Sequence, residues 1–265
     1  MTRDENIDRI ERAENAAFTS LYAAAAECCA TGAIEIEGIT TVWSPLDNDP
    51  GYSCIINLSD AADPASVVPR IEDAARAAGA RVLGIDGAPE MEQRIGERGA
   101  NALGYERDYQ ECMWGLTIDA DAVLLHGNGG DSIRQIGPGE CETFARIINR
   151  GFELADDAVR GTIFASTIEL PGWHHYLVSF DGEPGAASVL YVTDGVAQLF
   201  VAATAPEYRG RGAQTSLIRR RLWDAVAEGC DLATSQTVVY NASPRNMARH
   251  GFQELYYRWI YGKQL

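Results

Sequence analysis

The chain has 265 residues, 46% of them hydrophobic, and a formal net charge of −16 at pH 7. That apolar content supports a packed core and excludes wholesale disorder. The excess of acidic residues argues against nucleic acid as a partner, because phosphate contacts need a basic surface. It suits amines among small ligands.

Six cysteines, at 28, 29, 54, 112, 141 and 230, form no C-x-x-C pair and no spacing suited to zinc, so no metal is expected. There is no signal-peptide pattern, and the longest apolar stretch near the start, residues 21–26, is too short for a bilayer. The expectation is a cytoplasmic protein with no membrane partner.

In chain order, residues 11–27 read as a helix and 53–58 as a strand. Residues 64–78 form a strong helical pattern with Asp63 as its N-cap. A strand at 81–85 and a helix at 91–103 follow. That helix ends at Gly104-Tyr105, and a strand runs over 106–116. Gly127-Asn128-Gly129-Gly130 reads as a linker or tight turn.

Beyond it, 142–154 is helical. Strands at 173–180 and 186–192 flank the turn residues Asp181-Gly182-Glu183-Pro184. Residues 199–203 are a strand, and a helix after Gly212 carries Leu217, Ile218, Leu222, Ala225 and Val226 on one face. The strand at 231–239 leads to a short helix, opened by residues 241–246 and ended by His250-Gly251-Phe252. An aromatic-rich strand over 254–261 closes the chain.

The most informative stretch joins the strand at 199–203 to the next helix through Pro206-Glu207-Tyr208-Arg209-Gly210-Arg211-Gly212. Two glycines beside an arginine let the backbone turn tightly and expose several N–H groups at a helix N-terminus. That is an anion cradle, and a diphosphate is its natural occupant. No Gly-Lys-Ser/Thr follows, so it is not a Walker loop. The spacing is also wrong for a Rossmann fingerprint.

The strand, the Pro-Glu-Tyr turn and the Arg-x-x-Gly-x-x loop resemble the acetyl-CoA loop of the GNAT superfamily of N-acetyltransferases. The Gly251-Phe252 helix end and the last strand fit the same pattern. The resemblance covers roughly residues 131–265. It departs at Gln214, where the pattern has a small residue, and at Met247, where many members carry a tyrosine.

The resemblance implies an α/β (α+β) fold with a mixed, mostly antiparallel twisted sheet flanked by helices. It implies transfer of an acetyl group from acetyl-CoA to an amine, by direct attack in a ternary complex. The cofactor-binding residues it implies are Arg209, Gly210, Arg211, Gly212, Ala213, Gln214 and Thr215 in the loop. Ala202, Ala203 and Thr204 follow at the strand end, and Asn246 on the short helix. With tyrosine absent at position 247, the thiolate's proton donor is sought at Ser243, Tyr256, Tyr240 or Tyr257. The amine's base is sought at Glu169, His174 or His175. His174 and His175 face opposite ways on a strand, so at most one lines a given cleft. Arg219, Arg220 and Arg221 read as a solvated helix face, or one of them reaches the 3′-phosphate of CoA.

The first half repeats this outline. Gly104 and Gly115 stand as far apart as Gly251 and Gly262, with aromatic residues between. The expectation is a duplicated unit: a degenerate GNAT-like domain over 1–126 and an acetyltransferase domain over 131–265. The first copy has Ser59-Asp60-Ala61-Ala62-Asp63-Pro64 where the glycines belong, so it lacks the cradle. The acceptor is a small-molecule or peptide amine of unassigned identity, and a homodimer stays open. The competing reading is a catalytically inert acetyl-CoA or CoA sensor.

Overall fold

The computed structural model describes residues 3–45, 48–130, 132–240 and 243–265. Residues 241 and 242, which open the expected short helix, lie outside them. Among the described residues, one mixed sheet of eleven strands is formed. In chain order these are β1 (Gly32–Ile36), β2 (Ile39–Trp43), β3 (Cys54–Ile55), β4 (Val82–Asp86), β5 (Glu106–Thr117) and β6 (Ile133–Gln135). Then come β7 (Trp173–Phe180), β8 (Glu183–Thr193), β9 (Val196–Thr204), β10 (Leu232–Val238) and β11 (Gln253–Gln264). The helices are α1 (Arg3–Ala25), α2 (Pro64–Ala77), α3 (Pro89–Arg94), α4 (Gly96–Ala102) and α5 (Ala120–His126). They continue with α6 (Cys141–Gly151), α7 (Val159–Ala165), α8 (Ala213–Ala227) and α9 (Ser243–Arg249).

The spatial order is β1-β2-β3-β4-β11-β5-β10-β9-β8-β7-β6. Neighbours are antiparallel except β3–β4 and β9–β10, which are parallel. The two halves therefore exchange their last strands. β5, from the first half, pairs with β10, and β11, from the second, pairs with β4. β5 and β11 then pair with each other at the centre of the sheet.

Alternation along the strands divides the core. Leu177 and Val189 face a cluster built from α1, α6 and α7, including Phe144, Ile148 and Phe164. Tyr176, Val178 and Leu190 face the opposite layer, with Leu217, Ile218 and Leu222 of α8. A third cluster lies under α2, with Val68, Ile71, Leu83 and Tyr105. The expected linker is a packed turn: a Cβ on Gly129 would lie 2.4 Å from the Ser216 carbonyl oxygen of α8. No helix among the described residues is long and apolar enough to cross a membrane.

The exchanged strand β11 is held by a buried charge cluster. Arg258 is 2% exposed and donates to both oxygens of Glu14 at 2.6 and 2.7 Å. It also meets Asp86 at 2.9 Å and Glu111 at 2.9 and 3.0 Å. Glu14, Asp86 and Glu111 come from α1, β4 and β5 of the first half. Removing one partner of such a buried cluster typically costs about 3–5 kcal/mol, because the remaining charges stay buried without compensation.

Candidate active site

β9 ends at Thr204, and a single 3₁₀ turn at Pro206–Tyr208 leads into the glycine loop. Gly210 and Gly212 have φ of +77° and +85°, a region that side-chain-bearing L residues rarely adopt. Gly212 is the N-cap of α8, and no side chain caps that helix. The first backbone bond of α8 runs from Ser216 N–H back to the Gly212 carbonyl at 3.2 Å. Among the described residues, the N–H groups of residues 210–215 donate to no backbone carbonyl. They sit at the positive end of the helix dipole.

The side chains around the loop brace it from outside. Arg209 donates to Glu153 at 2.7 Å and to the Gly151 carbonyl at 3.0 Å. Arg211 pairs with Asp181 at 2.9 Å and lies over the Phe180 ring at 4.7 Å. Tyr208 stacks on the other partner of that contact, Phe180, with centroids 4.9 Å apart. Gln214 turns back toward β9, its Nε2 donating to Thr204 Oγ1 at 3.3 Å.

Next to the loop, β9 and β10 separate. Their parallel pairing covers Val196–Leu232, Ala197–Ala233 and Gln198–Thr234. Past it, the Ser235 hydroxyl donates to the Leu199 carbonyl at 3.0 Å. The strands then diverge, β9 staying with β8 and β10 with β5. At the same level β9 carries one extra residue, since Leu190 pairs with Leu199 while Ser188 pairs with Ala202. This bulge breaks the alternation, and Phe200 and Val201 both face the α1–α6–α7 side. Beyond it, Ala205 N–H donates to the Gly185 carbonyl of β8 at 2.9 Å. By alternation Ala203 also points its backbone at β8, while Ala202 and Thr204 present theirs to the opening.

Arg221 of α8 is 1% exposed and lies behind the bulge. It donates to the carbonyls of Leu217 at 3.1 Å and Val189 at 3.2 Å, and it lines the cavity that fills the opening. Among the described residues it has no carboxylate partner, and burial lowers its pKa to about 9. Neither sequence reading of the arginine triplet anticipated this. Arg219 is exposed, and Arg220 pairs with Asp224 at 2.9 Å. The spacing of Leu217, Ile218, Leu222 and Ala225 does put position 221 on the covered face of α8, a signal outweighed in the sequence reading by the charge of the side chain.

No protein-family profile matches this chain, and neither does any curated protein. Solved structures do resemble it. A GCN5-related N-acetyltransferase from Kribbella flavida has a TM-score of 0.62 at 14% identity, over 96% of this chain and 94% of that one. A tandem GNAT protein from the clavulanic acid biosynthesis pathway has a TM-score of 0.59 at 16% identity, over 98% and 95%. FemX has a TM-score of 0.53 at 10% identity, over 100% and 96%. The chain has the GNAT fold, in two units.

In this GNAT fold the cavity has a volume of about 190 Å³. It runs from the cradle side, at Gln214, Ser243, Asn246 and Met247, through the opening between β9 and β10. It continues to Tyr52, Asp86, Tyr109 and Glu111 of the first half. Of the residues singled out from sequence, Ala202, Gln214, Arg221, Ser243, Asn246 and Met247 thus share one cavity. His175 does not line it. That ring is 1% exposed, packed edge-on to Phe144 with centroids 5.0 Å apart, and its Nε2 lies 2.9 Å from the Phe164 carbonyl oxygen. Burial lowers its pKa to about 4, which keeps it neutral. His174 lies beside Gln135, at 3.2 Å. Tyr256 packs under α1 with Ile10 and Met113, also away from the cavity. Tyr240 is exposed, and Tyr257 donates to Glu254 at 2.8 Å. The cavity's first-half lining was not read from the sequence. Asp86 and Glu111 stand in ordinary strand positions, and the strand exchange that brings them there leaves no local signature.

Proposed function

We propose that this protein is an acetyl-CoA-dependent N-acetyltransferase that moves an acetyl group to an amine by direct attack in a ternary complex. The observation that carries the proposal is the juxtaposition of an uncapped glycine loop with a parallel strand pair that opens into a cavity. The amides of residues 210–215 hold the diphosphate. Asn246 and the strand end at Ala202 and Thr204 hold the pantetheine arm, which pairs with their open backbone as an added strand would; Ala203, whose backbone faces β8, has no part in this pairing. Acetyl-CoA supplies an activated acyl thioester. Ala202 N–H, aimed at the opening, stabilises negative charge developing on the acyl oxygen. Arg221 adds positive charge behind the bulge.

Ser243, on the cavity wall, is the proton donor for the departing thiolate. With a thiol pKa of about 8.5 that thiolate is a tolerable leaving group even when water supplies the proton. His175 and Tyr256 have no part in this reading, since neither lines the cavity. Residues 131–265 form the cofactor-binding domain, and residues 1–126 form the acceptor side. The compartment is the cytoplasm, in keeping with six unpaired cysteines.

The test couples acetyl-CoA calorimetry to a free-thiol release assay over a panel of amines. Binding that survives in wild type and disappears in Gly212→Asp, with amine-dependent thiol release, supports the reading. An absence of acetyl-CoA binding to the wild-type chain contradicts it.

A further inference from the structure

The far end of the cavity lies under α1, on the first half's own strands. Asp86 of β4 and Glu111 of β5 line it, and so does Arg258 of β11. Three carboxylates, Glu14, Asp86 and Glu111, surround this single guanidinium. Glu11 of α1 adds a fourth acidic group nearby. The positive charge at this end is therefore too small for the negative charge around it.

Two buried polar atoms on the cavity wall also lack partners. Asp86 is 8% exposed, and its Oδ2 faces Arg258 while its Oδ1 has no hydrogen-bond partner among the described residues. Gln198 of β9, 2% exposed, has an Oε1 in the same condition. Gln198 Oε1 is an acceptor, Asp86 Oδ1 becomes one when the carboxyl is ionised, and buried polar atoms left bare call for a partner. Phe18, Tyr52, Phe164 and Phe200 add aromatic rings to the wall, beside polar side chains such as Gln236 and Thr237. A cavity with aromatic rings along one wall, and with carboxylates outnumbering the one guanidinium at its end, suits a ligand with an apolar body and a cationic tip.

We propose that the Asp86 end of this cavity binds a second cationic group of the acceptor, so that the substrate is a diamine or longer polyamine whose reacting nitrogen lies at the β9–β10 opening. The proposal rests on the transferase reading only in treating the cavity as the acceptor channel. β4 is three strand positions from β10, which sets the span at roughly 14 Å at the usual strand spacing. An eight-carbon diamine approaches that length. Asp86 is a binding residue in this proposal and takes no part in the acyl transfer.

The charge state of Asp86 follows the ligand. In the free protein, desolvation raises its pKa to about 8, with Glu14, Glu111 and Glu11 pushing the same way and Arg258 opposing them. Cys54 of β3 also faces this group. An arriving ammonium favours the carboxylate, so Asp86 releases its proton to solvent when the diamine binds. No bond other than that O–H changes.

The experiment is calorimetry of the full chain, without acetyl-CoA, titrated with a linear octane diamine and with octylamine. The diamine is expected to bind about tenfold or more tightly than the monoamine. At neutral pH its heat is expected to vary with the buffer's ionisation enthalpy, which reports proton release. Asp86→Asn, nearly isosteric with the protonated side chain, is expected to remove both the diamine preference and the proton release. Equal affinity for the two amines, no measurable diamine binding, or an Asp86→Asn variant that keeps the preference would overturn the proposal. The proton-release measurement on wild type stands even without the variant. Acetyl-CoA binding, titrated separately, distinguishes a failure of this subsite from a failure of the transferase reading.

Discussion

The two halves of the chain build the same crossing and finish it differently. In the first, β3 leads through a 3₁₀ turn at Leu58–Asp60 to α2, and β3 runs parallel to β4. In the second, β9 leads through a 3₁₀ turn at Pro206–Tyr208 to α8, and β9 runs parallel to β10. At the start of α2 the Asp63 carboxylate accepts from Ala65 N–H at 3.1 Å. Pro64 has no N–H to offer. That helix terminus has answered its own donors and carries a negative charge. At the start of α8, Gly212 leaves the donors open. The proposed anion site depends on this withheld cap, and the two helix starts show both choices side by side.

The largest expected effect tests what joins the halves. Arg258→Ala strands Glu14, Asp86 and Glu111 without their cation and is expected to cost about 3–5 kcal/mol in denaturant unfolding. A loss below about 1 kcal/mol would mean the exchanged strands are held mainly by packing.

Next comes the difference between the two helix starts. Gly212→Asp puts a carboxylate and a strained left-handed residue in the cradle. A like charge about 4 Å from a phosphate costs on the order of 4 kcal/mol at an effective dielectric of 20, so acetyl-CoA affinity is expected to fall at least a hundredfold. Near-native far-UV circular dichroism would show that the fold survives. Affinity within threefold of wild type would remove the cradle from the account.

A third test uses pH. His175 is held neutral in the second half's core, with a folded pKa of about 4 against an ordinary value of 6.5. Between those values the unfolded chain binds the extra proton. Its contribution to stability is therefore present above pH 6.5 and is lost as pH falls toward 4, at up to about 1.4 kcal/mol per pH unit. His175→Gln is expected to flatten this part of the stability curve measured from pH 4.5 to 6.5. An unchanged slope would mean the imidazole is solvated.

The smallest effect is at the capped helix. Asp63→Ala is expected to cost about 1 kcal/mol of stability, the usual price of an N-cap, and to leave acetyl-CoA affinity unchanged. A loss of affinity would mean the first half takes part in cofactor binding.

The cradle was legible in the sequence because its backbone demands glycine at 210 and 212, and few residues substitute for it. Asp63 was legible for a related reason: a carboxylate just before Pro64 has a specific local job. The β1–β2 hairpin was missed although a signal existed. Glu37 and Gly38, both at positive φ, join two alternating runs. The exchange of β5 and β11 was not legible, since both strands follow a helix, end near glycine and carry the same pattern. Which neighbour each joins depends on tertiary partners such as Arg258 and Glu111. Arg221 differs: its spacing from Leu217, Ile218 and Ala225 puts it on the buried face of α8, while its partner, the Val189 carbonyl of β8, was not legible.

The most direct measurement is a crystal structure of the chain with coenzyme A. The account predicts the diphosphate on the amides of residues 210–215, the pantetheine arm between β9 and β10, and nothing comparable at residues 59–64. A diphosphate bound elsewhere, or β9 and β10 closed with the arm outside, would contradict it.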